Sequence, residues 1–523
     1  MAASEPVLVA GRWRPAAAVG SFQAFDPTAG TPREALWPVS GWADCDEALD
    51  AAVAAAAELA RLPVERLAAF LDRFAERLAA RGTELVAAAH AETGLAVTPR
   101  LADVELPRTL DQLRQAAGSA REQSWRMAMI DTARNIRAAC FGIGPVVVFP
   151  PANFPLAYGC VTGGDMAAAI AAGNPVIANA HPGHPTVSRL AAEEARAAAG
   201  ETGLPPATVQ LIHGLENADG ERLVADPRVG ATGFTGSEAA GKKLFAAASA
   251  AGKVIWVEMG SINPVVLLPG ALAERGAEIA GELTASVTGS AGQFCTKPGL
   301  VFFVADAAGN DFTAAVTEKF AALRPQVLLS QAGCRRLATG IEGLRRAGAT
   351  LLAGQAAATG PASHVPTVLA VAAADLVARP DDFVVEAFGN ATLLVRCASL
   401  AELARAVRCA HGSLGASLYA AKDGRDDAAF GAIAPLLVAR AGRVIENRMP
   451  TGLTVTPPMQ HGGPWPSAAP PFFSAVGYPW SILRFSRRIC FDGWTESRLP
   501  EIVRDAAPPG NPWRYIDRAW VRG

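Results

Sequence analysis

One of the eight cysteines stands in a setting unlike that of the others. Cys295 lies in the glycine-rich segment GSAGQFCTKPG (289–299), between the apolar run Leu272–Val287 and a predicted strand at 300–304. The other cysteines lie mostly in apolar or helical surroundings, which is typical of packing. A thiol on a loop suits a nucleophile, because its thiolate can reach a substrate. Lys297 either favours that thiolate electrostatically or only solvates the loop.

A carboxylate precedes this cysteine by 295 − 258 = 37 residues. Glu258 ends the apolar run KVIWV (253–257) and is followed closely by a glycine in WVEMGSINP. A carboxylate at the end of an apolar strand is either a general base or an ion-paired structural acid. The residues alone leave both roles open.

An asparagine follows the first predicted strand of this region. Asn153 stands in the proline-rich turn FPPANFPLAYG (149–159), directly after the run PVVVF (145–149). Parallel sheets bind ligands at the carboxyl ends of their strands, where an amide can donate to a developing oxyanion. The alternative is that Asn153 caps the following helix.

A fourth segment, GFTGSEAAG (233–241), runs from a strand end through Gly236 and Gly241 into a helix. Small residues at a helix N-terminus let a pyrophosphate approach the free N–H groups. The spacing departs from GxGxxG, so a plain tight turn between strand and helix is the alternative.

The sequence predicts no metal site. The seven histidines show no metal-ligand spacing, and no two cysteines form a CxxC pair. His461 lies in a loop, and no signature around it or Cys295 supports a papain-like pair.

These residues depend on strands that alternate with helices, which is the pattern of a parallel sheet covered on both faces. A first group of β-rich runs lies between Ile143 and Asn263, and a second group lies between Pro264 and about Thr451. The first group comprises 145–149, 175–179, 208–212, 228–234 and 253–257, and the second comprises PVVLL, LVFFV, ATLLV, ASLYA and RVIEN.

Two outer regions flank these groups. The N-terminal region is predicted to be mostly helical, at Asp46–Leu62, Pro63–Ala80 and Arg100–Arg121. The tail contains WSILRFSRRICF (480–491), a β-rich run that we expect to pair with another subunit rather than with the core. The uncharged stretch Phe141–Gly164 is long enough for a membrane span, but its prolines and glycines favour a strand, loop and helix.

The composition excludes several classes of protein. The 523 residues carry 47 Lys and Arg against 49 Asp and Glu, a net charge of −2, which argues against nucleic acid as the main partner. Half of the residues are hydrophobic, so extensive disorder is not expected. Scattered cysteines and the absence of a signal-peptide pattern predict a reducing cytoplasm.

Taken in order, these segments resemble the aldehyde dehydrogenase superfamily over nearly the whole chain. The resemblance is closest to a bacterial NADP-linked branch that includes α-ketoglutaric semialdehyde (2,5-dioxovalerate) dehydrogenases and a fatty aldehyde dehydrogenase. The motifs that carry the resemblance are NFPLA, AAGNPV, GFTGS, VEMGSINPV, GQFCTKPGL, EAFGN, PTG and PPMQHGGPWP.

The resemblance implies a role for each matched residue. Cys295 attacks the aldehyde, and Asn153 with the Cys295 N–H holds the oxyanion of the thiohemiacetal. After hydride transfer leaves a thioester, Glu258 activates the water that hydrolyses it. The matched cofactor-binding positions are Gly236, Ser237, Gly241, Asn179, Glu386 and Phe388.

The resemblance also implies an α/β fold with a Rossmann-type cofactor domain, an α/β catalytic domain and a small β element for oligomerisation. The domains are expected at 1–124 with 151–263 for the cofactor, at 264–455 for catalysis, and at 125–150 with 477–523 for bridging. The resemblance further implies a homodimer or a dimer-based tetramer. Neither a membrane nor a nucleic acid is expected as a partner.

Four positions bear on cofactor and substrate. Asn179 replaces the family's usual lysine, and Pro182 stands where NAD-preferring members carry an acid, so NADP is expected with NAD possible. Phe472 and Phe473 replace a charged segment, which leaves the substrate open between 2,5-dioxovalerate and a more hydrophobic aldehyde. Two alternatives are a CoA-acylating relative, against which Glu258 argues, and a catalytically silent member with a binding role.

Overall fold

The chain is described from residue 4 to residue 523 in a computed structural model. The helices are α1 (Trp42–Leu59), α2 (Val64–Ala80), α3 (Gly82–Thr93), α4 (Leu106–Glu122), α5 (Gly164–Ala171), α6 (Pro185–Thr202), α7 (Asn217–Ala225), α8 (Glu238–Ala250), α9 (Pro269–Thr288), α10 (Ala307–Ala321), α11 (Gln331–Arg346), α12 (Ala373–Ala378), α13 (Pro380–Phe383), α14 (Leu400–Arg408) and α15 (Asp427–Val438).

The strands are β1 (Val7–Val9), β2 (Arg12–Arg14), β3 (Ala18–Asp26), β4 (Thr31–Ser40), β5 (Met129–Asp131), β6 (Ile136–Gly142), β7 (Val146–Phe149), β8 (Val176–Ala180), β9 (Val209–His213), β10 (Ala231–Thr235), β11 (Val254–Glu258), β12 (Val265–Leu267), β13 (Leu300–Val304), β14 (Gln326–Val327), β15 (Thr350–Ala353), β16 (Ser363–His364), β17 (Thr367–Ala372), β18 (Ala391–Cys397), β19 (Ser413–Tyr419), β20 (Ala441–Glu446), β21 (Ala468–Ala469), β22 (Ser486–Asp492), β23 (Trp513–Ile516) and β24 (Ala519–Arg522).

An eight-stranded sheet contains the first group of predicted strands. Its order is β2-β1-β9-β8-β7-β10-β11-β21, and the strands from β9 to β11 are parallel. The parallel part of the sheet therefore starts at β7 near the centre, continues outward through β8 and β9, and resumes on the other side of β7 with β10 and β11. Crevices for ligands form at such a switch point, outside the carboxyl ends of β7 and β10.

A seven-stranded sheet contains the second group, in the order β15-β17-β18-β13-β12-β19-β20. All neighbours are parallel except β15 and β17. Both faces are covered, because Val266 of β12 packs into one hydrophobic cluster while Val265 and Leu267 pack into another. The α/β fold with two parallel sheets confirms the predicted fold class.

A third sheet has five strands in the order β22-β6-β5-β23-β24. It joins residues of the predicted bridging segments 125–150 and 477–523. The first boundary needs correction, however, because Val146–Phe149 pairs with β8 and β10 in the eight-stranded sheet. The apolar run VVVF is buried there. The first bridging segment contributes β5 and β6 to the five-stranded sheet, and β6 ends at Gly142.

The tail strand is shorter than predicted. Residues Trp480–Phe485 form a 3₁₀ segment, and only Ser486–Asp492 is a strand, which pairs with β6 of the same chain. The segment turns inward because Ile482 and Phe485 are fully buried. The Trp256 indole also donates a hydrogen bond to the Arg484 carbonyl at 2.7 Å.

The N-terminal helices pack against the eight-stranded sheet. The largest hydrophobic cluster includes Phe70 and Phe74 of α2, Leu113 of α4 and Ile170 of α5. The predicted helix at Arg100–Arg121 begins instead with a π-helical turn over Val97–Glu105, and α4 follows it. The uncharged stretch at 141–164 forms β7, a loop and the start of α5, and none of the helices in residues 4–523 could cross a bilayer.

Candidate active site

The loop that carries the cysteine follows a turn of unusual backbone geometry. Helix α9 ends at Thr288, and Ser290, Ala291 and Gly292 then all have positive φ, of 47°, 54° and 68°. Non-glycine residues rarely adopt this region, and such geometry is held only where the surroundings enforce it. A Cβ at Gly292 would lie 2.2 Å from the Gly389 carbonyl oxygen. Tight packing therefore fixes the entry to the loop.

Asn263 holds the other side of the loop. Its side-chain amide donates to the Cys295 carbonyl at 2.8 Å and to the Lys297 carbonyl at 3.0 Å. Its oxygen accepts from the Gly415 N–H on β19 at 3.0 Å. The backbone that presents Cys295 is thus tied to the seven-stranded sheet.

Lys297 is 3% exposed, so the predicted role of solvating the loop is wrong. Its ammonium group is buried and donates to the carbonyls of Ala387 at 3.0 Å and Ala391 at 2.7 Å. Burial lowers the pKa of Lys297 to about 8, against the opposing charge of Glu386. Apolar packing beneath the loop draws the side chain inward, where it joins the nucleophile loop to the Glu386 loop.

The structure brings Cys295 and Glu258 together with a third residue, His461. The Cys295 sulfur lies 3.5 Å from His461 Nε2, which lies 3.1 Å from Glu258 Oε1. The reactive atoms of the three side chains all lie within 4.8 Å of one another. Glu258 ends β11 beside β10 and β21, so the sheet fixes its position. Nucleophile, carboxylate and imidazole therefore form one contiguous group.

The electrostatic environment keeps the thiol protonated at rest. Burial raises the pKa of Cys295 well above its usual range, and the charge of Glu258 and a hydrogen bond to it raise it further. The charge of Arg108 acts in the opposite direction. A protonated thiol must lose its proton as it attacks, and the adjoining carboxylate and imidazole are within reach to receive it.

His461 is the residue that sequence reasoning missed. It lies in a long irregular loop and is 1% exposed. The signal in the sequence was the pair of glycines that directly follows it. In the structure a Cβ at Gly462 would lie 2.1 Å from the Phe473 carbonyl oxygen, and one at Gly463 would lie 2.2 Å from the Ser413 carbonyl oxygen. Backbone packed this closely fixes a side chain without regular structure. The sequence offered no signature for a pair of Cys295 and His461, and the structure brings the two side chains into contact.

Asn153 lies in the loop after β7 and faces the nucleophile loop. Its side-chain nitrogen donates to the Gln293 carbonyl at 2.9 Å, two residues before Cys295. An amide nitrogen carries two N–H groups, so one bond orients the group and another N–H can serve an oxyanion. The alternative role, a helix cap, does not fit, because the next helix, α5, starts at Gly164.

A buried ion pair supports the Asn153 loop from below. Arg100 and Glu105 bind each other within the π-helical turn. The Arg100 guanidinium donates to the Asn153 carbonyl at 3.0 Å, and the Glu105 carboxylate accepts from the N–H groups of Leu156 at 2.8 Å and Ala157 at 3.0 Å. Both sides of the loop are thereby held by one pair of charges, which the sequence did not indicate.

Among the cofactor-binding residues predicted on the first sheet, Asn179 lies on β8, whereas Gly236, Ser237 and Gly241 follow β10. Ser237 caps α8, accepting from the Ala240 N–H at 3.4 Å, and Gly236 precedes it. Gly241 is buried, and a Cβ there would lie 2.6 Å from the Met259 side chain. Gly241 is therefore explained by packing of the first helical turn, whereas Gly236 and Ser237 stand at its open end.

Two further observations suit a dinucleotide. The Asn179 side-chain oxygen, on β8, is buried and has no hydrogen-bond partner among the described residues. Glu386 lies against the segment after Glu258, where its carboxylate accepts from the Ser261 N–H at 3.1 Å. Phe388 stands two residues later in the same loop and is half-buried. An orphaned polar atom, a free helix end and a carboxylate thus lie along the edge where a parallel sheet binds nucleotides.

Aromatic side chains cluster beside the nucleophile loop, and Arg108 contacts them. The Phe154 ring lies 5.3 Å from Tyr158 and 5.7 Å from Phe294. Arg108 of α4 donates to the Tyr158 hydroxyl at 3.1 Å, and its charge acts on the Cys295 thiol. Phe473 is buried and packs against Trp256, whereas Phe472 is 58% exposed.

The chain is similar to known proteins in both sequence and fold. The sequence model of the aldehyde dehydrogenase family matches residues 13–468. The chain is 38% identical to alpha-ketoglutaric semialdehyde dehydrogenase 2 of Azospirillum brasilense, over 95% of this chain and 96% of that relative.

Among solved structures, aldehyde dehydrogenase C of Pseudomonas syringae, in complex with NAD⁺ and octanal, is 21% identical with a TM-score of 0.80, covering 95% of this chain and 98% of that one. The NADP-dependent glyceraldehyde-3-phosphate dehydrogenase of Bacillus halodurans, complexed with NADP, is 20% identical with a TM-score of 0.78, covering 93% and 98%.

Proposed function

Because the chain belongs to the aldehyde dehydrogenase family, and is an enzyme that oxidises aldehydes, we propose that its substrate is an aldehyde with a second, negatively charged group, best represented by 2,5-dioxovalerate. The observation that carries this proposal is Arg108, which donates to the Tyr158 hydroxyl at 3.1 Å, on a ring whose centre lies 5.9 Å from that of His461. The relative from Azospirillum brasilense, which is named for α-ketoglutaric semialdehyde, supports the same substrate.

The geometry around Arg108 suits a short dicarbonyl chain. Its guanidinium lies 5.6 Å from the Phe154 ring centre and 5.1 Å from that of Tyr158, so aromatic faces fix the cation. A carboxylate bound to Arg108 would leave the aldehyde end of the substrate directed toward Cys295. The rings would cover the methylene groups between the two ends.

The proposed chemistry begins at Cys295. As the sulfur attacks the aldehyde carbon, the thiol proton passes to the adjoining group of His461 and Glu258. The oxyanion of the thiohemiacetal accepts hydrogen bonds from Asn153 and from the Cys295 N–H. When bound, the nicotinamide dinucleotide supplies the acceptor for the hydride. Glu258, which lies 3.1 Å from His461 Nε2, then activates the water that hydrolyses the thioester.

The dinucleotide would be held by the predicted residues. Gly236 and Ser237 would present the free N–H groups of α8 to the pyrophosphate, and Glu386 would bind the nicotinamide ribose. Asn179 would face the adenosine ribose. An amide can donate to a 2′-phosphate and accept from a 2′-hydroxyl, so we propose that NADP is used and that NAD is also accepted.

We also propose the assembly and location expected from the sequence. The domains would divide near residues 125 and 263, with the five-stranded sheet as the bridging element of a homodimer or dimer-based tetramer. Its outer strand β22 pairs on one side with β6, and in residues 4–523 no strand covers its other side. The eight cysteines are free thiols, which suits a reducing cytoplasm.

The test of the substrate proposal compares charged and uncharged aldehydes. Arg108→Met keeps most of the side-chain stem but removes the charge, so KM for 2,5-dioxovalerate should rise by about 10–150-fold, the value of a charge-assisted hydrogen bond. KM for an uncharged aldehyde of equal length should change little.

Arg114→Met is the matched control, because Arg114 lies on the same helix and is exposed. It should leave both KM values unchanged. If Arg108→Met raises the two KM values equally, Arg108 supports the pocket without binding the anion, and the proposed substrate class is wrong.

A further inference from the structure

We propose that Cys295, Glu258 and His461 together form a binding site for one Zn²⁺ ion, which reversibly blocks the nucleophile of the resting enzyme. Metal binding itself depends only on the three ligand atoms. The block of activity, in addition, rests on the proposed function, since it requires Cys295 to be the nucleophile.

The spacing of the ligand atoms fits a tetrahedral ion. Zinc bonds of about 2.0–2.3 Å to sulfur, nitrogen and oxygen place neighbouring ligand atoms about 3.3–3.7 Å apart. In the structure Cys295 Sγ lies 3.5 Å from His461 Nε2, and His461 Nε2 lies 3.1 Å from Glu258 Oε1. All three atoms lie within 4.8 Å of one another. Small side-chain rotations would therefore complete the geometry.

The site is built before any ion arrives. The side chains of His461 and Glu258 are 2% and 1% exposed, and both are fixed by packed backbone. Glu258 Oε2 is buried and has no hydrogen-bond partner among the described residues. A buried carboxylate oxygen without a partner is costly, and a cation in the site would satisfy it. Little reorganisation is needed on binding.

The charges also balance. Binding releases the Cys295 thiol proton to solvent and forms a Zn–S bond, with no change of oxidation state. The thiolate and the Glu258 carboxylate then neutralise the two positive charges of the ion, while His461 binds as a neutral imidazole. A fourth position remains for water, as in three-ligand zinc sites. The sulfur lone pair that would attack an aldehyde is held by the ion.

The first test measures binding without turnover. Reduced enzyme is titrated with Co²⁺, whose bond to a thiolate gives a charge-transfer absorption, and the Co²⁺ is then displaced by Zn²⁺. One ion per subunit is expected. Cys295→Ala should abolish the absorption, and His461→Gln should weaken Zn²⁺ binding more than about 100-fold, because even outer-shell partners of metal ligands contribute about 10–100-fold. Cys490→Ser, at the exposed cysteine, is the matched control.

The second test measures activity in the wild-type enzyme. Zn²⁺ should inhibit aldehyde oxidation with the dissociation constant measured for binding, and EDTA should restore the rate. Absence of a thiolate–Co²⁺ absorption, or equal Zn²⁺ affinity in wild type and His461→Gln, overturns the proposal. Binding with full retention of activity would instead preserve the metal site and contradict the role of Cys295 as nucleophile.

Discussion

His461 Nε2 lies 3.1 Å from Glu258 Oε1, and both side chains are almost completely shielded from solvent. The carboxylate proposed to activate water therefore has an imidazole as its direct partner. A carboxylate and an imidazole in such close contact can take a proton from the Cys295 thiol and later from water, because either member can hold it. The two residues should behave as one functional unit.

Glu258→Gln should allow the thioester to form and then stall its hydrolysis. A pre-steady-state burst of reduced nucleotide followed by slow turnover is expected, because the amide cannot accept the proton of the attacking water. Rapid steady-state formation of acid would show that another base acts. Product analysis with CoA present also separates hydrolysis from acyl transfer to CoA.

His461→Gln should lower kcat by about 10²-fold or more, the usual contribution of a positioned acid–base group. The variant Glu258→Gln/His461→Gln should lose less than the product of the two single effects, because residues that act as a unit are not additive. Fully additive losses of activation free energy would mean that the two side chains work independently.

The alkylation of Cys295 should depend on pH in a defined direction. Burial and Glu258 raise the pKa of Cys295, so little thiolate exists at neutral pH. The rate of inactivation by iodoacetamide should increase with pH and reach half of its maximum above the range of an ordinary cysteine. Glu258→Gln removes a negative neighbour and should move the profile to lower pH. A profile centred below neutrality would contradict this environment.

Arg100→Met should lower kcat with little change in KM for the aldehyde. The guanidinium holds the Asn153 carbonyl at 3.0 Å, and the loss would free the loop that carries the oxyanion donor. Removing an oxyanion donor outright costs about 10²–10³ in kcat, so a smaller loss is expected here. Arg100→Lys should restore part of kcat, because a cation again pairs with Glu105. If Arg100→Met lowers the stability of the protein but leaves kcat unchanged, the ion pair has a structural role alone.

Asn179→Lys should raise the ratio of catalytic efficiencies with NADP⁺ and NAD⁺. A lysine at the end of β8 would add a charge-assisted hydrogen bond to the 2′-phosphate, which is worth about 1.5–3 kcal/mol. Steady-state kinetics with both cofactors measures the ratio. An unchanged ratio would mean that residue 179 does not face the adenosine ribose.

The enzyme should be a dimer or a dimer-based tetramer at micromolar concentration. Within residues 4–523, strand β22 pairs with β6 on one side only, and an edge strand with an unpaired row of backbone groups is prone to pair with another chain. Light scattering coupled to size exclusion gives the mass directly. A mass of one subunit would refute the proposed assembly.

Local sequence was sufficient for the elements and for part of the site. The runs at 145–149, 175–179 and 253–257 are strands because short apolar segments between helices have few other ways to bury both faces. Glu258 could be named as a candidate because it ends an apolar strand, and Asn153 and Cys295 because they stand in loops next to predicted strands. The motifs also sufficed for the family.

Tertiary structure alone decided how distant residues meet. His461 joins Cys295 across 166 positions of chain, and nothing periodic marks a side chain held by a densely packed irregular loop. Lys297 was misjudged for the same reason: burial beneath its own loop, not its distance along the chain, fixed its partners. Spacing predicts which residues share an element, but long-range packing determines which atoms come within bonding distance, and the chemistry of this site depends on those atoms.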